Sequence, residues 1–222
     1  MIDFRNIPPV TKNLLIANIV AFIATSVFPN LETQFSLYMF NAPQFKPYQI
    51  LTHMFIHADF RHLFFNMFAL YMFGSAIENR LGDKKYLSYY LLTGLGSVIL
   101  HSITQHYEYS DLFNQLEYMF KNGDLSYQQY TDKFQYAYSR GASGAVFGLL
   151  MAFAMFYPNQ RLQLLFFPQP IKAIYLVSAI GLYEVYSGFQ NAPDDSVAHF
   201  AHLGGALFGW IVITFWRKEN MI

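Results

Sequence analysis

Cysteine is absent from this 222-residue chain, which excludes disulfides and thiolate metal sites and leaves the redox compartment unread. Charge is scarce: Asp, Glu, Lys and Arg make up 13% of the residues, about half the usual share of a soluble globular chain. The 14 basic and 14 acidic residues balance, and no basic tract occurs, which argues against nucleic acid as a partner. Internal repeats and low-complexity tracts are missing too. What is abundant is apolar: 54% hydrophobic and 19% aromatic residues, with a mean hydropathy of +0.22. That balance predicts an all-α, polytopic membrane protein built as a single domain over 1–222.

Six apolar stretches have the length of membrane spans, at roughly 12–28, 60–79, 85–104, 142–157, 171–189 and 197–216. Pro29, Pro158 and Pro170 stand at their ends, as helix breakers should. The first run follows Arg5 and Lys12, and Phe28-Pro29-Asn30 after it offers no small-residue cleavage site. It therefore reads as a retained span rather than a signal peptide.

Basic residues orient the bundle. With the N-terminus inside, the cytoplasmic segments hold Arg5, Lys12, Arg80, Lys84, Lys85, Arg161, Lys172, Arg217 and Lys218, nine of the 14. The positive-inside rule then places both termini in the cytoplasm. Two outer segments, the first and the third, are long. Residues 30–59 are aromatic and irregular. Residues 105–140 are polar and read as two short amphipathic helices lying in the outer interface. In the first, Leu112, Leu116, Met119 and Phe120 share a face, with Gly123 as the residue just past its end. In the second, Ser126 and Gln129 have capping-box spacing, and Tyr127, Tyr130 and Phe134 share a face.

Polar side chains at membrane depth are costly and point to function by default. Spans two, four and six all run from outside to inside, and each opens with such residues. Span two has His62 and Asn66 at i, i+4 on one helix face. Span four opens with Ser143, and span six carries His199 and His202 at i, i+3. Span four is short, about 24 Å of helix against roughly 30 Å of hydrocarbon. Ser143 would then sit below the outer surface, within reach of water from that side. Gly144 and Gly148 form one GxxxG, Gly205 and Gly209 another. Such spacing lets helix backbones approach closely, and it would bring Ser143 within hydrogen-bond reach of His202. A hydroxyl and an imidazole so placed have the chemistry of an activated nucleophile and its general base.

These residues resemble the rhomboid intramembrane serine proteases over about Phe45 to Trp216. The likeness rests on Gly141-Ala142-Ser143-Gly144, on His62 to Asn66, on Gly74-Ser75-Ala76-Ile77-Glu78-Asn79-Arg80-Leu81-Gly82 and on Ala201-His202-Leu203-Gly204-Gly205, in the family's order. The resemblance implies a six-transmembrane-helix bundle and peptide-bond hydrolysis in or near transmembrane segments of membrane-protein substrates. It makes Ser143 the nucleophile and His202 the base. His62, Asn66 and the Ser143 backbone N–H would form the oxyanion hole. The family uses a dyad, so no acid carries over, and neither cofactor nor metal is implied. Its partners would be the lipid bilayer and transmembrane proteins, with the active site opening to the outer side.

Two departures stand out. Many family members carry a Trp-Arg pair in the first outer loop, where this chain has Lys46-Pro47-Tyr48-Gln49, so that loop's internal contacts must differ. Phe147 stands where some members have a phenol, which keeps a ring to stack on the base but removes its hydroxyl. The connection Gln190-Asn191-Ala192-Pro193-Asp194-Asp195-Ser196 has the composition of a mobile outer loop and reads as a lid.

Plainer readings compete for each residue. Ser143 suits a helix N-cap, and His62 with Asn66 suits an interhelical hydrogen-bond pair. His53, His57 and His199 read first as structural hydrogen-bonding residues and second as modulators of the site, Glu78 as a brace between helix ends, and Glu184 faces either the bundle or the outer water. A metal-dependent hydrolase is the rival enzyme, since histidines gather on the outer side, but His57 to His62 is not the HExxH spacing. A transporter would show paired broken helices in two repeats, and none is visible.

Overall fold

The computed structural model describes residues 7–134, 138–163, 169–190 and 197–222. Apart from Gln190, the connection read as a lid lies outside these residues.

All six expected spans are helical. α1 (Pro9–Val27) enters with prolines at its start and is followed by α2 (Asn30–Phe35), β1 (Leu37–Tyr38) and α3 (Gln49–Thr52). A short 3-10 turn, His53–Phe55, precedes α4 (Phe60–Ala69). α4 passes through one wide π turn, Leu70–Gly74, into α5 (Ser75–Leu81), so that span two is a single rod. Then come α6 (Asp83–Lys121), α7 (Tyr127–Asp132), β2 (Tyr138–Ser139) and α8 (Ser143–Phe156). The antiparallel pair β3 (Arg161–Leu162) and β4 (Ile171–Lys172) leads to α9 (Ala173–Gln190) and α10 (His199–Lys218). α1, α6 and α10 are long and apolar enough to cross a membrane, while α8 is apolar but shorter.

α6, α8 and α10 form the centre. Their contact depends on glycine. A β-carbon on Gly205 would collide with the backbone of Gly144, and one on Gly209 would lie 3.1 Å from the Cα of Gly148. The two GxxxG motifs therefore face each other, as the spacing predicts. Tyr89, fully buried on α6, donates to the Gly148 carbonyl at 2.7 Å across the same seam. The outward faces are apolar as well. Ile16, Val20 and Ile23 on α1 and Phe64, Phe65 and Phe68 on α4 are exposed, which suits a surface solvated by lipid.

Glu78 shows how span two is tied to span one. Its carboxylate is 1% exposed and accepts the Val10 N–H at 2.8 Å and the Thr11 N–H at 2.6 Å. These are first-turn donors of α1, which have no partner inside their own helix. A negative group there also meets the positive end of the helix dipole. The role of brace expected for Glu78 holds.

The outer segments differ from expectation in one respect. The first amphipathic helix of 105–140 is no separate element in the interface; it is the continuation of span three. α6 runs for 39 residues, about 58 Å at 1.5 Å per residue, and so extends well past a bilayer core of roughly 30 Å. The physical reason lies in the sequence: neither glycine nor proline occurs between Gly96 and Gly123, so nothing breaks the rod. It stops as anticipated at Gly123, whose φ is +82°, in a Schellman arrangement. There the Gly123 and Asp124 N–H groups donate to the Phe120 and Met119 carbonyls. The buried face is also turned by about one residue. Phe113 and Leu116 are buried, whereas Leu112 and Met119 are exposed.

This extension packs on the first outer segment. Phe113, Leu116 and Phe134 join Tyr38, Met39 and Ala42 in a second apolar core. Phe113 stacks on Phe134 at 4.9 Å, and Phe120 stacks on Tyr130 at the same distance. The expected capping box of Ser126 and Gln129 is present at the start of α7. β1 pairs with β2, Leu37 opposite Ser139 and Tyr38 opposite Tyr138. Gln44 donates to the Thr131 carbonyl at 2.8 Å.

Gln49 organises the loop where the Trp-Arg pair is missing. It is 1% exposed. Its Oε1 accepts the Lys46 N–H at 3.0 Å, and its Nε2 donates to the Gln34 and Gln44 carbonyls at 3.1 and 3.3 Å. One buried amide thus satisfies backbone groups from three parts of the loop.

Candidate active site

Ser143 is the first residue of α8, preceded by Ala142 in helical conformation and by Gly141 at φ +131°. Only glycine takes that backbone conformation without strain. A β-carbon there would also press on the His62 ring, at 2.8 Å. The Gly141 N–H donates to the His53 carbonyl at 2.9 Å, which anchors the loop just before the serine. Arg140 next to it pairs with Glu32 and lies 4.9 Å over the Tyr138 ring. The approach to Ser143 is thereby held from both outer segments.

His202 stands on the first turn of α10, and its N–H donates to the Ala198 carbonyl at 3.2 Å. Its Nε2 lies 2.9 Å from Ser143 Oγ. Phe147, one turn after the serine, stacks on the imidazole at 4.2 Å with the rings 7° from parallel. Ser143 and His202 are each partly exposed. A hydroxyl at a helix start, hydrogen-bonded to an imidazole, has the geometry of a nucleophile with its base. The first-turn N–H groups of α8 have no acceptor inside their own helix, and such a helix start favours an anion.

His62 borders this place from α4. Asp59 caps α4 by accepting the His62 N–H at 2.8 Å, and that bond holds the Asp59 carboxyl below its ordinary range. The Ala58 N–H points at His62 Nδ1 from 3.5 Å, which leaves Nε2, the nitrogen beside Gly141, to carry the ring proton. Asn66 is buried one turn further along the same face, at 5% exposure. Its Nδ2 donates to the His62 carbonyl at 2.9 Å, so one amide hydrogen is held by its own helix and one is left.

The three flanking histidines divide. His53 has the structural role expected of it: its ring meets the Gln49 carbonyl at 3.0 Å while its own carbonyl holds Gly141. Burial pushes its imidazole down from 6.5 to about 4. His57 sits edge-on to His62 at 5.1 Å, and burial first, then the neighbouring His62, pushes it to about 4. His199 is hydrogen-bonded as expected, and its partner is Glu184, 2.6 Å from its Nδ1.

Glu184 is the group the sequence left unplaced. It lies on α9 at 6% exposure and faces the bundle. One carboxylate oxygen, Oε2, sits 2.6 Å from His199 Nδ1 and 3.0 Å from His202 Nδ1. A signal for it existed: Glu184 is the single carboxylate of the apolar span 171–189, which is itself a functional pointer.

The fold and this cluster define the class to which the chain compares. The Rhomboid domain family matches residues 44–219. The chain belongs to the rhomboid family, and it is an integral membrane protein. Among its relatives is Rhomboid protease AarA of Providencia stuartii, 29% identical over 167 residues, covering 72% of this chain and 52% of that protein. Another is Presenilin-associated rhomboid-like protein, mitochondrial, of Homo sapiens, 28% identical over 211 residues, covering 91% and 47%. Rhomboid protein 1, mitochondrial, of Saccharomyces cerevisiae is 27% identical over 230 residues, covering 98% and 60%. The chain spans about half the length of the curated relatives it matches.

Proposed function

We propose that the chain is a serine endopeptidase that cleaves peptide bonds in or near transmembrane segments of membrane proteins. Ser143 is the nucleophile and His202 the general base. The observation that carries this reading is the 2.9 Å contact between Ser143 Oγ, at the start of a helix, and His202 Nε2. The name of the Providencia relative, a rhomboid protease, agrees with it.

In the first step Ser143 Oγ attacks the scissile carbonyl carbon and its proton passes to His202 Nε2. The carbonyl electron pair moves onto oxygen, where the Ser143 N–H, His62 and Asn66 donate to it. Losing one such donor typically costs about 2.7–4 kcal/mol of transition-state stabilisation. The Nε2 proton then goes to the departing amide nitrogen as the C–N bond breaks. Water hydrolyses the resulting ester by the same proton route in reverse. The distribution of basic residues supports cytoplasmic termini and a site open to the outer side. Residues 105–140, tied to the loop before Ser143, shape the approach of a protein substrate.

A second reading has one observation behind it. Glu184, His199 and His202 present donor atoms all within 4.8 Å of one another, a set that a metal ion can use. Chelation separates the two readings.

The test is cleavage of a model transmembrane substrate by purified protein in liposomes. Ser143→Ala and His202→Ala should each abolish turnover, and the double variant should be little worse than either, because the pair acts as a unit. Turnover retained by Ser143→Ala would overturn the serine reading. Turnover lost to a chelator and restored by zinc would favour the metal.

A further inference from the structure

We infer that Glu184 is a positioning residue that completes a Ser143–His202–Glu184 chain, with His199 as the second donor that holds its carboxylate in place. The inference rests on the serine-protease reading and adds a group that the family resemblance does not carry over.

Connectivity comes first. Ser143 and Glu184 meet opposite nitrogens of the same imidazole, Nε2 at 2.9 Å and Nδ1 at 3.0 Å. An ionised carboxylate only accepts hydrogen bonds. Its contact therefore selects the His202 tautomer with the proton on Nδ1 and leaves the Nε2 lone pair facing the serine hydroxyl. That is the tautomer a general base needs. Phe147, stacked parallel on the ring, restrains its tilt, while Glu184 restrains its rotation within the plane.

Burial comes next. A carboxylate at 6% exposure in an apolar helix is costly unless it is paired and hydrogen-bonded. His199 supplies the second donor to the same oxygen, at 2.6 Å. As Ser143 attacks, His202 becomes an imidazolium and its Nδ1–H strengthens its bond to Glu184 Oε2. The carboxylate exchanges no proton. Among the described residues, titratable groups near this pair include Tyr183, edge-on to His199 from α9, and His62 and His101, which lie near His202 from α4 and α6.

The experiment measures kcat, KM and the pH profile of purified protein in liposomes, with fluorophosphonate labelling of Ser143 run beside it. Glu184→Gln should lower kcat by up to about 10⁴-fold, the loss that removing the third group of such a chain produces elsewhere. KM should stay within about threefold, and the acidic limb of the kcat profile should move to lower pH, since the imidazolium loses its counter-charge. Glu184→Asp should restore part of kcat and move the limb back. If Glu184→Gln does not fold, His199→Gln reports on the same chain, with a several-fold lower kcat at a KM within about threefold and a smaller displacement of the limb, because the Glu184 charge stays. Wild-type protein labelled at Ser143, together with Glu184 variants of unchanged kcat and pH profile, would overturn this inference alone. A rate loss without any shift of the limb and without rescue by Asp would overturn it too, by making Glu184 merely structural. Activity that depends on zinc would assign the cluster to a metal instead. Absence of Ser143 labelling in active wild-type protein would overturn the serine reading itself.

Discussion

Asn66 lends one amide hydrogen to its own helix and has one to offer the site. If that donor acts on an oxyanion, its value appears when negative charge develops. Asn66→Ala should therefore lower kcat by about 10²–10³-fold with KM nearly unchanged, and His62→Ala should behave likewise. Steady-state kinetics on a transmembrane substrate checks this; an effect confined to KM would mean that both residues only position substrate. Ser143, His202, His62 and Asn66 were legible in the sequence because each stands beside small residues or at helical spacing within an apolar run. Glu184 was visible as a lone carboxylate, but its partner was not. Which face of α9 meets α10 depends on packing between two helices whose connection carries no rule for rotation. Gln49 was hidden for a similar reason. The absence of Trp-Arg announced different loop contacts, yet nothing local says that one buried amide gathers them.

Glycines at the seam between α8 and α10 set the distance on which the site depends. Gly205→Ala places a methyl against the Gly144 backbone. Backbone cannot yield as a flexible side chain does, so the helices must part, and overpacking of this kind costs about 1–3 kcal/mol. The expected result is a less stable protein whose remaining folded molecules label slowly at Ser143; unchanged thermal stability and labelling would contradict the account. Glu78→Ala acts elsewhere. It strips the α1 N-terminus of its acceptor and leaves buried N–H groups without a partner, at about 1–3 kcal/mol for each group left unsatisfied. Thermal unfolding in detergent should show the loss, while turnover per folded molecule should stay near wild type. The six spans were legible at this scale from apolar length and proline punctuation. The continuation of span three into one 39-residue rod was legible in principle, from the missing glycine and proline. Polarity read as a boundary concealed it, because a helix leaving the membrane changes composition without changing conformation.

Among the described residues there are two apolar cores, one within the span bundle and one outside it, joined at the loop that enters α8. His53 and His57 lie at that junction, buried and pushed down to about 4 from 6.5. Above pH 6.5 folded and unfolded chains are both neutral at these rings and stability is complete. Between pH 6.5 and 4 the unfolded chain takes up protons that the folded chain does not, so stability should fall as pH falls through that window. A Tm series in detergent should show it, with a flatter slope for His57→Gln; a Tm constant across the window would contradict the burial of these rings. Replacing 108–136 by a short Gly/Ser linker removes Phe113, Leu116 and Phe134, half of the outer core, but keeps Gly141 and its His53 anchor. Small-probe labelling of Ser143 should survive this change, and cleavage of protein substrates should alter. The central claim is that one serine at a helix start is made nucleophilic by His202. Reaction of the intact protein in liposomes with a fluorophosphonate, followed by mass spectrometry of the modified peptide, tests it most directly. The account predicts stoichiometric modification at Ser143 that is lost in His202→Ala, whereas modification at another residue, or equal modification of Ser143 without His202, would contradict it.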